Sequence, residues 1–228
     1  MRTRFPPEPN GYLHIGHLKA IVADFEGIKN PNNDIVCNLR FDDTNPDNES
    51  DEFRNAILND LEWLGYNPAF VTSTSDYFPQ LYKFMIWLLK TNQAYFEWGN
   101  IASQREKGDP SPTRNCSNLS NLDVHADTAI VPCVRVKIDP NHPNTPMRDP
   151  VIYRYKKSVG TWLPTYDVSH PIVDYLEKIT HSFCTREFFI RRDLYFWFVN
   201  KFINYEKAEL DKKPSPIPEV FEFNRLEI

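Results

Sequence analysis

The sequence predicts an α/β fold with a parallel sheet, interrupted by an α+β insertion. Two observations predict it. From Thr3 to about Asn92, strand-like and helix-like patterns alternate, as they do where helices cross between parallel strands. From about Gln93 to Leu163 that alternation stops, and strand-like runs follow a long polar stretch. The expected boundaries are therefore 1–92 for the first half of the sheet domain, 93–163 for the insertion, and 164–228 for the second half.

Each element has its own signal. Leu18, Ile21, Val22 and Phe25 recur at i, i+3, i+4 and i+7 and predict an amphipathic helix. Ile35, Cys37, Leu39 and Phe41 alternate with Val36, Asn38 and Arg40, as along a strand. Phe53, Ile57, Leu61 and Leu64 form the stripe of a second helix. A third begins near Ser75 and carries Phe78, Leu81, Tyr82, Met85, Leu88 and Leu89. Residues 99–128 are rich in Asn, Ser and Asp with weak periodicity. Strands are then expected at Cys133–Ile138, with Val134, Val136 and Ile138 on one face, and at Val151–Tyr155. Ile172, Leu176 and Ile179 mark a helix that starts at Pro171. Leu194, Phe198 and Phe202 mark the next, and Phe221–Phe223 reads as a last strand. The charged, then Pro-rich stretch from Glu206 to Glu219 reads as an exposed loop. There is no internal repeat.

Composition narrows the function. Hydrophobic residues make up 41% of the 228 and aromatics 14%, enough to build a core. The formal net charge of −5 argues against a whole-surface grip on nucleic acid, so an RNA partner would meet a local basic patch. No run of about eighteen or more apolar residues is present, so no membrane helix is expected. Met1-Arg2-Thr3-Arg4-Phe5 has no apolar signal region, and a cytoplasmic protein is expected. Cys37, Cys116, Cys133 and Cys184 form no C-x-x-C pair, which points to neither a zinc site nor a disulfide framework.

Residues 5–17 carry the most chemical information: Phe-Pro-Pro-Glu-Pro-Asn-Gly-Tyr-Leu-His-Ile-Gly-His. His14 and His17 fall at the opening turn of the first helix, on one face. Free N–H groups and the positive end of the helix dipole suit a phosphate there. Gly11 and Gly16 let backbone approach a ligand closely. The prolines stiffen the entry loop. Alone, such a histidine pair is more often a capped, solvated turn.

The run Pro6-Pro7-Glu8-Pro9-Asn10-Gly11-Tyr12-Leu13-His14-Ile15-Gly16-His17 resembles the signature of class I aminoacyl-tRNA synthetases. Its Pro-Pro-Glu-Pro lead narrows the resemblance to the glutaminyl and glutamyl branch. That resemblance implies a Rossmann-like catalytic domain with an inserted acceptor-stem-binding domain. It also implies ATP contacts at Glu8, Pro9, Asn10, His14, Ile15, Gly16, His17, Leu18, Lys19 and Ala20, at Thr185, and at the backbone of Arg225 and Leu226. His14 and His17 would be catalytic. Trp63-Leu64-Gly65-Tyr66, Ser75-Asp76-Tyr77-Phe78 and Arg148-Asp149-Pro150 are further matches.

An amino-acid pocket follows from the same resemblance. Asp42, at the end of a strand, can hold an ammonium group, and its family counterpart holds the α-ammonium of the amino acid. Asp43 is read as structural; Asp43 or Thr44 also suits a helix N-cap. Tyr166 would face the side-chain amide, although a plain core aromatic is the commoner fate of such a tyrosine. His170 would lie beside it, and Arg4 matches a pocket arginine.

A glutamate pocket needs a cation near the side-chain terminus. Glutamyl relatives commonly carry arginine where this chain has Cys184, so a neutral cysteine favours glutamine. The run from Phe188 to Trp197 also resembles eukaryote-type glutaminyl enzymes. Pro164–Asp167 and Pro171–Asp174 resemble glutamyl relatives as well.

The expected function is ATP-dependent attachment of glutamine to its tRNA through an adenylate. The partners are ATP, L-glutamine and the acceptor end of tRNA(Gln). Mg²⁺ comes with ATP, with no tightly bound protein-ligated metal, and a monomer is expected. Two alternatives remain: a glutamyl-tRNA synthetase, or a non-catalytic fragment that binds ATP and amino acid. The second arises because the family's Lys-Met-Ser-Lys-Ser-like phosphate loop would follow Arg225-Leu226, and the sequence ends at Ile228. Low activity of the isolated chain is expected on that ground. A dinucleotide-binding oxidoreductase fits poorly, because no G-x-G-x-x-G follows the first strand.

Overall fold

A computed structural model describes residues 1–27, 34–47, 49–98, 110–124 and 130–224. The chain starts with β1 (Arg2–Phe5), α1 (Ile15–Glu26), β2 (Val36–Phe41), α2 (Asp51–Trp63) and β3 (Phe70–Ser73). These strands form a parallel sheet in the order β1-β2-β3. A 3-10 turn, Thr74–Tyr77, leads into α3 (Phe78–Lys90). Next come β4 (Ala94–Glu97), β5 (Cys133–Val136), β6 (Val151–Lys156) and β7 (Thr161–Pro164), an antiparallel sheet in chain order. The chain closes with α4 (Tyr166–Leu176), β8 (His181–Thr185), a 3-10 turn at Arg186–Arg191, α5 (Arg192–Leu210) and β9 (Glu219–Phe223). β8 and β9 pair in parallel.

The two parallel sheets meet at β1 and β8. Thr180 N–H donates to the Arg2 carbonyl at 2.9 Å, and the Arg4 guanidinium reaches the Phe183 carbonyl at 3.1 Å. The chain thus leaves β1 toward β2 and β3 on one side and returns with β8 and β9 on the other. In open α/β sheets a crevice forms beyond the strand C-termini where the order reverses in this way. Here β1 runs out into Pro6–Asn10, β2 into Asp42, and β8 into Thr185.

Local chemistry fixes the helices. Ser50 caps α2, its hydroxyl accepting from Phe53 N–H at 3.3 Å, and Asp51 and Glu52 complement the dipole. α2 buries Ile57 and Leu61 against Phe5, Leu39 and Phe41. A second, larger core joins α3, α4, α5 and the antiparallel sheet. It contains Phe84, Phe96, Val136, Ile172, Phe198 and Phe202. Among the described residues, no helix is long and apolar enough to cross a membrane.

Several expectations need correction. Leu18, placed on the apolar stripe of α1, is 36% exposed, and the helix instead buries Ile21, Ala23 and Asp24. β2 does not alternate between inside and outside. Cys37 to Phe41 are all buried, because a middle parallel strand is covered on both faces. α4 begins at Tyr166, not Pro171; the proline lies inside it and offers no N–H to the Asp167 carbonyl. Ile179 lies past the end of that helix. α5 continues to Leu210, and Glu206, expected in a loop, is buried and accepts from the Tyr175 hydroxyl at 3.0 Å. The strand expected at Cys133–Ile138 ends at Val136. The N-cap of α2 is Ser50, not Asp43 or Thr44.

Candidate active site

The histidine pair is built by the start of α1. His14 is the N-cap, with extended backbone (φ −135°, ψ 170°). Its Nδ1 accepts from Gly16 N–H at 3.1 Å, and His17 Nδ1 accepts from His14 N–H at 3.1 Å. The ring centroids are 4.0 Å apart. A nitrogen that accepts carries no proton, so each neutral ring holds its proton on Nε2. The cap therefore leaves two Nε2–H donors unused by it. Burial, and then the neighbouring His14, pushes the His17 pKa down, which favours that neutral form. A Cβ at Gly16 would come within 2.8 Å of the His14 ring, so glycine is needed there. At Gly11 an added Cβ meets nothing within 4 Å among the described residues, so none of them demands a glycine there.

The proline loop is tied down at two carbonyls. Asp42 N–H donates to Pro7 O at 3.0 Å, and Ser50 N–H donates to Pro9 O at 3.1 Å. Asn10 Nδ2 donates to Glu8 Oε2 at 2.7 Å.

The other end of the site is buried and charged. Arg4, on β1, is 1% exposed. Its Nε donates to Asp174 Oδ1 at 2.9 Å, and its Nη2 reaches Ser182 Oγ at 2.7 Å and His170 Nε2 at 2.6 Å. Arg40, on β2, donates to the same Asp174 oxygen at 2.7 Å and to Glu177 at 3.2 Å. The Tyr195 hydroxyl donates to the other Asp174 oxygen at 2.9 Å. Burial alone would raise the Asp174 pKa, but Arg4 and Arg40 hold it well below the usual carboxylate range. Burial drives the His170 pKa well down, so the ring is neutral between two guanidiniums.

Above this network lies the rest of the predicted pocket. Tyr166 stacks on His170 with centroids 4.6 Å apart. Asp42 accepts from the Thr74 hydroxyl at 3.2 Å, and burial pushes its pKa up to about 6. Asp43 is occupied by Arg54, Ser75 N–H and the Ser75 hydroxyl. Burial raises the Cys184 thiol to about 11. The Thr185 hydroxyl is buried with no partner among the described residues.

One cleft of about 740 Å³ joins both ends. Arg4, Glu8, Asn10, His14, Ile15, Gly16, His17, Ala20, Asp42, Tyr166, His170, Cys184 and Thr185 line it. Pro9, Leu18 and Lys19 are not on its lining, and Pro9 is buried in the loop behind. Arg225 and Leu226 lie outside the described residues. Asp24, Arg40, Asp174, Glu177 and Tyr195 were not anticipated from sequence. Their one available signal was a set of charged residues inside otherwise apolar patterns, such as Arg40 within Leu39-Arg40-Phe41 and the i, i+4 pair His170–Asp174.

A second cleft, about 860 Å³, shares Tyr166 and Phe188 with the first. Arg154, Lys156 and Arg191 give it basic character. Lys156 is paired with Asp47 at 2.6 Å, and Arg191 with Asp167.

The cleft lies beyond the strand ends of a parallel sheet and is bounded by a helix N-terminus, the place where open α/β sheets bind ligands. The family described as tRNA synthetases class I (E and Q), catalytic domain, matches residues 1–210, and the chain belongs to that family. It is 42% identical to a glutamine–tRNA ligase of Clostridium perfringens, covering 99% of this chain and 42% of that protein. It is 42% identical to a probable glutamine–tRNA ligase of Dictyostelium discoideum, over 87% of this chain and 27% of that protein. A probable cytoplasmic glutamate–tRNA ligase of Schizosaccharomyces pombe is 39% identical over 98% of this chain and 32% of its own length. The chain thus spans less than half the length of these relatives. Among solved structures, a glutamate–tRNA ligase from Elizabethkingia meningosepticum superposes with a TM-score of 0.63 at 18% identity, over 96% of this chain and 49% of that one.

Proposed function

We propose that this chain forms the catalytic domain of an enzyme that attaches glutamine to tRNA. The observation that carries the reading is the single cleft joining the His14–His17 helix terminus to Asp42, Tyr166 and the neutral Cys184. An oxygen of the glutamine α-carboxylate attacks the α-phosphorus of ATP. The bond from that phosphorus to the bridging oxygen breaks, and pyrophosphate leaves. A terminal ribose hydroxyl of tRNA, the 2′-hydroxyl by family membership, then takes the acyl group and AMP departs. Mg²⁺ enters with ATP, held mainly by phosphate oxygens.

The residues divide the work. His14 and His17 aim Nε2–H donors at charge that builds on the phosphates, acting as preorganised donors rather than nucleophiles. The end of α1 adds its dipole. Asp42, whose raised pKa reflects burial without a nearby fixed cation strong enough to offset it, receives the α-ammonium. Tyr166 offers its hydroxyl to the side-chain amide. The Thr185 hydroxyl, otherwise unpartnered, meets the nucleotide. Arg4 fixes His170 under Tyr166, since most of its donors are taken by the protein. The second cleft, which shares Tyr166 and Phe188 with the first and carries Arg154, Lys156 and Arg191, suits the tRNA acceptor end.

Glutamate is the competing substrate, in keeping with the name of the fission-yeast relative. Neutrality at Cys184 supports glutamine, because an unpaired γ-carboxylate in a buried pocket costs more than an amide. ATP–pyrophosphate exchange by the full-length protein, with and without tRNA, tests the reading. Exchange is expected with glutamine in preference to glutamate. Preference for glutamate, or exchange with neither, would reject it.

A further inference from the structure

Besides Arg4, which the buried network holds, two guanidiniums stand beside the amino-acid end of the cleft, and a neutral pocket has to account for them. Arg191 ends the 3-10 turn after β8, and Arg192 opens α5. Both line a small cavity that also takes in Ser182, Val220 and Tyr195. It shares Tyr166, His170, Cys184 and Phe188 with the main cleft. A free guanidinium on this wall would attract a γ-carboxylate and do little for an amide.

Among the described residues each arginine is met by one carboxylate. Arg191 pairs with Asp167. Arg192 Nη1 donates to both oxygens of Glu222, at 3.2 and 3.4 Å. Glu222 is well placed for more than a surface tie. It is the β9 partner of Cys184 in the parallel register, as Val220 is the partner of Ser182. Alternate strand positions share a face, so Ser182, Cys184, Val220 and Glu222 project toward the same wall. Burial is the main influence on the Cys184 thiol. Arg4 comes next, and Glu222 and Arg192 also act on it with opposite signs.

We infer that Glu222 is a positioning residue for substrate choice: by holding and neutralising Arg192, it keeps the wall beside Cys184 free of an unpaired cation, so the pocket takes an uncharged amide in preference to a carboxylate. This rests on the glutamine reading above and adds to it a residue that acts through another. Arg192 is 41% exposed, so solvent screens the pair and the effect is modest. A purely structural tie between α5 and β9 would instead affect both amino acids alike.

The test compares kcat and KM for glutamine and glutamate in the full-length enzyme with tRNA, by ATP–pyrophosphate exchange. Glu222→Gln frees the cation and is expected to raise glutamate use relative to glutamine about threefold, mainly through a lower KM for glutamate. Arg192→Gln leaves the carboxylate unpaired and moves the ratio the other way. The double variant returns close to the wild-type ratio, and Glu222→Asp keeps most of it. Should Glu222→Gln fail to fold, the opposite shift in Arg192→Gln still decides the matter. Equal losses for both amino acids, or an unmoved ratio in both single variants, overturn the inference while the glutamine reading stands. A wild-type enzyme that prefers glutamate overturns both.

Discussion

The two ends of the cleft are built by opposite means. The end proposed for the phosphates is solvent-facing and consists of backbone, prolines and a histidine cap: His14 and Ile15 are exposed, and the rings of His14 and His17 are oriented by hydrogen bonds of one turn. The end proposed for the amino acid is closed and consists of ion pairs shared by elements far apart in sequence. Asp174 on α4 binds arginines from β1 and β2 at once. The difference teaches where function and stability separate. Loss of a group at the open end should cost rate with little stability. Loss at the closed end should cost the fold first.

The largest expected effect follows from the closed end. Asp174→Ala strips two buried guanidiniums of their shared partner, and breaking a buried pair costs about 3–5 kcal/mol. Chemical denaturation should show that loss. A change below about 1 kcal/mol would mean that the two arginines find other partners. At the open end, His14→Ala and His17→Ala should lower kcat for adenylate formation by about ten- to a thousandfold, with a much smaller change in KM for ATP. Their stability cost should stay near that of a lost cap, about 1 kcal/mol. A normal kcat with a raised KM would make them ground-state binders instead.

Smaller effects probe the boundary between the two ends. Tyr166→Phe should reduce glutamine kcat/KM by roughly tenfold or more, because the proposed partner of the amide is removed. Cys184→Arg should shift the glutamine-to-glutamate ratio toward glutamate. Asp42 gives a pH dependence. Its pKa is raised to about 6, so the carboxylate proposed to hold the ammonium is lost as pH falls through that value, and glutamine KM should rise below it. In the empty protein the sign for stability is the reverse. The folded state binds the proton more tightly than the unfolded chain, so Asp42 costs stability as pH rises from the ordinary carboxylate range through about 6. His17, with a lowered pKa, works the other way, and its contribution is lost as pH falls below the ordinary histidine value. A glutamine KM that stays flat across pH 5 to 7 would remove Asp42 from the ammonium site.

The same contrast explains what the sequence could show. The open end is local. The turn from Glu8 to His17 lies within one stretch of chain, and the strand that ends just before Asp42 follows from the α/β alternation; β8, which ends at Thr185, has no such signal, and only the resemblance points to Thr185. The closed end is not local. A charge between apolar neighbours in Leu39-Arg40-Phe41 is the only hint, and it does not name the partners at the end of α4 that let a middle strand bury its arginine. The i, i+4 pair His170–Asp174 stayed hidden because Pro171 suggested a helix start, whereas the helix begins at Tyr166 and absorbs the proline. Leu18 misled in the opposite sense, since the first turn of α1 serves the cleft and the sheet packs against later turns. Glu206 looked like loop because charge and nearby prolines hid its bond to Tyr175.

The central claim is that the nucleotide end and a neutral amino-acid pocket form one site. Binding of a non-hydrolysable glutaminyl-adenylate analogue, set beside AMP, free glutamine and the glutamyl analogue, tests it most directly. Linked ligands that fill both ends should bind roughly a hundredfold or more tighter than either part, with the glutaminyl analogue ahead of the glutamyl one. A glutaminyl analogue that binds no tighter than AMP would contradict the claim.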